Sequence, residues 1–415
     1  MIEPVYENPK VLVSNLTVIG HLPYLVEALD KSDMLLQWDV GAYPTDTFSL
    51  ASFVPRIKHR NTAKIDGNKI CNHTGLELIR SASARLPKQL FNISEQIRLA
   101  CIDQFSASVE RKMKRIRPDI VIGTNYGASR LFQTAKSLNA MTILSQRTLF
   151  YEAVYDDLNQ RATQGIDVDM MWSELLWQRL IEGSHAEADL ADYILCPSNN
   201  VIDSFVQYGI PKEKLILLPY GVDNDFGHDD IVSRPDDGKL RILFVGRISR
   251  TKGVDILIEA FNNLSLPNNE LILVGRDCGE IDLEESQKRN RNIQYLGWLP
   301  KSALGEVYRS SDIFVFPSIY EGAGRVVDEA MSAGLAVIAS KPASDGIIDG
   351  KTGMVLPEVD EYTVRSKIEY LVLQNGIRRN MAVAAKASMQ ERSWGNYQQK
   401  LTDIILQIYC KKELP

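Results

Sequence analysis

The chain has 415 residues, 45% of them hydrophobic and 24% charged, with 26 glycines and 17 prolines. Those globular proportions exclude collagen, coiled coil and disorder, and the length asks for two domains of about 150–200 residues each. Lys and Arg number 47 against 53 Asp and Glu, a net charge of −6, which argues against a nucleic-acid partner held by bulk positive charge.

The opening stretch MIEPVYENPKVLV has no basic segment leading into an apolar one, so no secretory signal is expected. No apolar run reaches the roughly eighteen residues of a membrane span. A soluble, cytoplasmic protein is therefore expected. Apolar runs at 10–15, 34–40, 119–124, 141–146 and 193–198 predict buried strands, and helical patterns occupy 22–31, 95–116, 126–139 and 170–191. Strands alternating with helices imply a parallel sheet covered on both faces. Cys71, Cys101, Cys196, Cys278 and Cys410 are widely spaced, with no CxxC pair or Cys/His cluster read among them. All five are read as structural, with no disulfide framework and no structural zinc.

A Gly/Pro/Asp-rich stretch at 217–239 reads as a linker, and a second strand series follows at 241–246, 270–275, 293–298, 312–318 and 335–340. The expected division is 1–210 as first domain, 211–239 as hinge and 240–393 as second domain. A helix at 394–409 is expected to return across the domains, so that 394–415 rejoin the first. The fold class is α/β, two doubly wound domains facing a cleft, with ligands at the carboxyl ends of the strands.

The densest chemical signal is FPSIYEGAGRVVDEAMSAGLAVIAS at 316–340. A buried strand runs into Glu321, Gly322 and Gly324, and the helix that follows carries Glu329. Glycines at a strand-to-helix turn let backbone N–H groups approach a phosphate, and a carboxylate in the second helical turn can accept both hydroxyls of a ribose. The bland alternative is a plain strand–turn–helix with two solvated glutamates. A second signal is FVGRISRTKGVDILIEAF at 244–261, where Arg247 and Lys252 follow a strand that ends at Gly246. These cations suit two phosphates, Arg as a planar fork and Lys as a point charge.

These residues resemble the retaining nucleotide-sugar glycosyltransferases of the GT-B fold, family 4, known as glycosyl transferases group 1. The motif Glu321-GAGRVVD-Glu329 and the pair Arg247 and Lys252 in GRISRTKG carry the resemblance, along with 198–223, and it covers most of 193–340. It implies two Rossmann-like domains with the donor in the second. Arg247 and Lys252 would hold the diphosphate and stabilise the leaving group, and Glu321 would touch the transferred sugar. Glu329 would bind the ribose, and the backbone at Leu299 would read the base edge. Gly246 and the turn Gly322, Ala323, Gly324, Arg325 and Val326 would complete the donor site. The expected donor is a UDP-sugar, with no metal and no other cofactor, since fixed cations and a helix N-terminus can meet the developing charge. The acceptor is unassigned: a glycan, a lipid-linked compound or a small molecule.

The match departs from the family in the first domain. Leu16 and Thr17 stand where a glycine pair is common, and Gln146 or Arg147 stands where a His often lies. His21 and Arg147 are the candidate acceptor-side contacts; Arg147 is always charged and cannot serve as a base. Arg325 replaces the apolar residue commoner in its turn, and either favours a charged donor sugar or points to solvent. Two DxD strings, Asp167–Asp169 and Asp223–Asp225, are discounted as metal sites because neither ends a strand in a nucleotide-binding half. The basic clusters at 54–60 and 111–117 are read as solvated, the alternative being a peripheral membrane contact beside a lipid-linked acceptor. The rival functions are a nucleotide-sugar 2-epimerase and a degenerate relative that only binds a nucleotide sugar.

Overall fold

Buried apolar runs organise two parallel sheets in the computed structural model, which describes residues 7–17, 20–44, 64–84, 86–87, 90–163, 173–223, 238–264 and 268–413. In chain order the first unit contains β1 (Val11–Asn15), α1 (Leu22–Lys31), β2 (Leu35–Val40), β3 (Ile70–Asn72), α2 (Thr74–Ser83), α3 (Phe91–Ile116) and β4 (Ile120–Thr124). It continues through α4 (Ser129–Ser137), β5 (Met141–Ser145), α5 (Tyr151–Thr163), α6 (Glu174–Leu190), β6 (Tyr193–Cys196), α7 (Asn199–Gln207) and β7 (Leu215–Leu217). The second runs β8 (Leu240–Val245), α8 (Val254–Asn262), β9 (Asn269–Val274), α9 (Leu283–Arg289), β10 (Ile293–Tyr295), α10 (Lys301–Arg309) and β11 (Ile313–Phe316). It closes with α11 (Arg325–Ser332), β12 (Ala336–Ser340), β13 (Met354–Leu356), α12 (Glu361–Leu373) and α13 (Asn375–Ser388), before α14 (Trp394–Glu413).

The first sheet has the order β3-β2-β1-β4-β5-β6-β7 and the second β10-β9-β8-β11-β12-β13, every pairing parallel. Strands buried on both faces need no polar alternation, which is why VLVSN and AVIAS are buried at all five positions. Strand order reverses between β1 and β4 in one sheet and between β8 and β11 in the other. Such switch points open a crevice beyond the strands' carboxyl ends.

Each face of the first sheet has its own core. Val13, Leu25, Trp38 and Ile122 pack with Trp394, Tyr397, Leu401 and Ile405 of α14 on one side, while Leu12, Phe105, Val121 and Phe132 pack on the other. The returning helix therefore belongs to the first domain's core and lies against α1. The second domain has a single core around Phe244, Phe314, Phe316 and Val337.

Three strands escape the sequence reading: β3, β7 and β13 are three residues each and only partly buried, too short and too mixed to register as apolar runs. β7 lies inside the stretch expected as a hinge, where it pairs with β6 and extends the first sheet to Leu217. The helix expected over 126–139 is shorter, because the chain turns through Tyr126 and Gly127 with positive φ before α4 starts. No described helix is long and apolar enough to cross a membrane.

Candidate functional site

The two switch points face one another across a cleft of about 610 Å³. From the second domain it is lined by Gly246, Arg247, Lys252, Phe316 and the turn 320–326; from the first, by Gly20, His21, Arg147, Tyr151 and Tyr220.

Arg247 projects from the loop after β8, exposed and without an ion pair among the described residues. Lys252 is largely buried, with its ammonium on Glu321 Oε1 and 5.7–5.8 Å from the ring centres of Tyr320 and Phe316. Ser318 Oγ donates to the same Glu321 oxygen at 3.2 Å. The structure thus brings Lys252 and Glu321 into direct contact across 69 residues of sequence, with Glu321 fixed at the end of β11.

The turn before α11 depends on Gly324, whose φ of 54° is the left-handed region and whose Cβ would lie 2.8 Å from Ala343 O. Arg325, 37% exposed, crosses the cleft: its guanidinium occupies the space above Gly20 and lies 5.8 Å from the Trp394 ring. Ala323 and Val326 line the same wall.

Glu329 stands one helical turn behind Arg325 and does not line the cleft. Its side chain is 14% exposed, accepts from Tyr308 Oη at 3.2 Å and lies 3.8 Å from Arg325 Nη2. Burial pushes its carboxyl up to about 7 despite the opposing pull of Arg325. Leu299 likewise stands apart, half-buried against the second domain's core, while Trp298 beside it is 71% exposed.

On the first domain, His21 is buried, its Nε2 2.9 Å from Ser145 Oγ and its ring stacked on Tyr220 with centroids 4.5 Å apart. Burial, then the cations Arg147 and Arg325, lower it to about 3, so it is neutral at neutral pH. Arg147 lies on the cleft wall, and Gly322 packs so close that a Cβ there would be 2.4 Å from Arg147 O. Further ties join the domains: Ser198 Oγ donates to Gly322 O at 2.5 Å and Asn200 Nδ2 to Glu321 O at 2.8 Å.

The remaining sequence candidates fall elsewhere. Asp223 accepts from Tyr24 Oη and pairs with Lys301 Nζ, both at 3.0 Å, while Asn224 and Asp225, Asp167–Asp169 and the cluster 54–60 lie outside the described residues. The reading of 111–117 as wholly solvated needs correction. Lys112 turns inward, its Nζ 2.7 Å from Asp39 Oδ1 and 2.8 Å from Cys71 Sγ. His73 Nε2 sits 3.0 Å from the same Asp39 oxygen and 3.9 Å from Cys71 Sγ, so Cys71 does belong to a Cys/His cluster. Its partners hold the thiol below its usual range, His73 foremost. The C-x-H spacing at 71–73 was the visible signal; Asp39 and Lys112 join it only through strand pairing and the course of α3. Lys112's ammonium faces both the Asp39 carboxylate and the Cys71 sulfur.

Residues 227–388 match the family described as glycosyl transferases group 1. A sulfoquinovosyl transferase of Arabidopsis thaliana is 28% identical over 307 residues, 70% of this chain and 56% of its own length. A GDP-mannose-dependent alpha-mannosyltransferase of Mycobacterium tuberculosis is 31% identical over 49% of this chain and 54% of its own. The chain thus spans about half the length of these curated relatives. Among solved structures, sucrose-phosphate synthase from Thermosynechococcus elongatus superposes with a TM-score of 0.70 at 16% identity, covering 97% of this chain and all of its own. The Anabaena HepE protein, solved with UDP-glucose, gives 0.66 at 16% identity over 96% and 100%. These likenesses give the fold as GT-B.

Proposed function

With residues 227–388 matching the glycosyl transferases group 1 family, we propose that the chain transfers a sugar from a nucleoside diphosphate to an acceptor in the interdomain cleft. The observation that carries this reading is the pairing of Arg247 and Lys252 with the 320–326 turn on one wall of that cleft. The diphosphate lies between Arg247 and Lys252. As the bond to the anomeric carbon breaks, the negative charge that develops on the diphosphate meets cations already in place, which lowers the barrier without reorganising solvent. Lys252 is held toward this position by Glu321, which faces the transferred sugar.

The transfer retains anomeric configuration, uses these fixed cations rather than a metal, and takes a UDP-sugar; the Anabaena neighbour solved with UDP-glucose supports that choice of base. The mannosyltransferase relative is named for GDP-mannose, so the base is decided by test. Glu329 receives the ribose hydroxyls after Arg325 moves aside. An epimerase would need a proton-abstracting pair, and the cleft histidine His21 is buried against Ser145 and Tyr220 instead.

The test is thermal denaturation of the purified chain with UDP, GDP and ADP and their sugars, with and without a chelator. A ligand specific to the folded state at a hundredfold excess over its Kd adds about 2.7 kcal/mol. We expect a base-selective rise, insensitive to the chelator and lost in Arg247→Ala. A folded protein that responds to no nucleotide overturns the proposal.

A further inference from the structure

A second, smaller cavity of about 210 Å³ opens at the first sheet's own switch point, between Leu16 and Thr17 after β1 and Thr124–Tyr126 after β4. Arg147 and Tyr151 line both this cavity and the cleft, so the two spaces adjoin at these side chains. Three arginines line it and no carboxylate does. Arg80 is neutralised, its Nε and Nη2 donating to Glu77 at 2.8 and 2.9 Å. Arg98 and Arg147 have no ion-pair partner among the described residues, leaving two positive charges on the cavity wall.

Asn125 adds an independent mark. It is 5% exposed and donates from Nδ2 to Tyr151 Oη at 3.1 Å, yet its Oδ1 accepts from no group among the described residues. A buried acceptor left unpaired is costly, and a ligand hydroxyl would remove that cost. The neighbouring Tyr126 is held at φ 74°, unfavourable for a bulky side chain, because Glu187 accepts from the N–H groups of Tyr126, Gly127 and Ala128 at 3.1, 2.7 and 2.8 Å. Backbone strain anchored by a buried carboxylate holds Asn125 at the mouth of the crevice.

We infer that this cavity seats the acceptor and that the acceptor is an anionic polyol, its phosphate or carboxylate between Arg98 and Arg147 and a hydroxyl on Asn125 Oδ1. The inference rests on the proposed transfer reaction. A neutral sugar would leave both guanidinium groups without a counter-charge, whereas phosphate and carboxylate match their planar fork. With the anion anchored here, another hydroxyl reaches past Tyr151 into the cleft. Its oxygen forms the bond to the anomeric carbon as the carbon–diphosphate oxygen bond breaks, and its proton leaves with the nucleoside diphosphate.

The test is calorimetric titration of the full chain, saturated with its preferred nucleotide, with glucose, glucose 6-phosphate, glucuronate and phosphatidylinositol vesicles. We expect at least one anionic probe to bind tenfold or more tightly than glucose. Vesicles alone would mark a lipid headgroup as its source, and the free compounds a soluble acceptor. Arg98→Gln removes the preference, Arg98→Lys restores part of it, and nucleotide affinity stays the same in both, which also attests folding. Equal binding of neutral and anionic probes, or a preference that survives Arg98→Gln, overturns the inference. Anion binding in a chain that binds no nucleotide would instead overturn the transfer reading and leave this site standing.

Discussion

Glu329 connects protonation to binding at the level of a single carboxyl. Burial holds it protonated up to about 7, above its ordinary 4.5, so between those values the folded state binds more protons than the unfolded chain. Stability from this group is therefore present at low pH and declines as pH rises through that window. Binding runs the other way: an ionised carboxylate accepts two ribose hydroxyls, whereas the acid form has already committed one oxygen to its proton. Nucleotide affinity should rise between pH 6 and 8 and level off above, and Glu329→Gln should flatten the curve, as read by titration at each pH. An unchanged curve in the variant would remove Glu329 from the nucleotide site.

At the scale of elements, α14 is the first domain's missing piece. Leu401 is fully buried in a core shared with β1, β2 and α1, and Trp394 stacks on Tyr24 at 3.8 Å between ring centres. Leu401→Ala should cost about 2–5 kcal/mol, measured by denaturant unfolding, with the loss falling on the first domain although the residue lies past the second in sequence. Legibility from sequence also divides by element. β8, β11 and β12 are largely apolar runs because both faces are covered, and Arg247, Lys252 and Glu321 stand out in sequence because they lie in the loops that follow β8 and β11. Arg98 and Asn125 do not: Arg98 lies on an ordinary helix surface by pattern, and Asn125 matters only because Glu187, 62 residues on, bends the chain beside it. Leu299 and Glu329 differ from these, since motif position alone points to them, and the packing of Tyr308 and Arg325 holds Glu329 behind the cleft wall in this structure.

For the whole molecule, contacts at the 320–326 turn are among those that tie the two domains together. The carbonyls of Glu321 and Gly322 accept from Asn200 and Ser198, and Gly322 sits where any side chain would strike Arg147 O. Opening the cleft would break these contacts and release the turn that, in the proposed reaction, faces the donor sugar. Gly322→Val should force the domains apart, raising the radius of gyration in solution scattering and slowing transfer at least tenfold while the separate domains keep their secondary structure. A variant as compact and as active as the parent would show that the turn is not what holds the cleft shut.

The return of α14 to the first sheet also has a consequence during synthesis. One face of that sheet receives Tyr397, Leu401, Ile405 and Ile408 only after the whole second domain has been translated. Until then the ribosome carries a first domain with one face covered only in part, by α1, beside a second domain whose core residues have all been made. The first domain emerges first, yet its core is the later of the two to be completed.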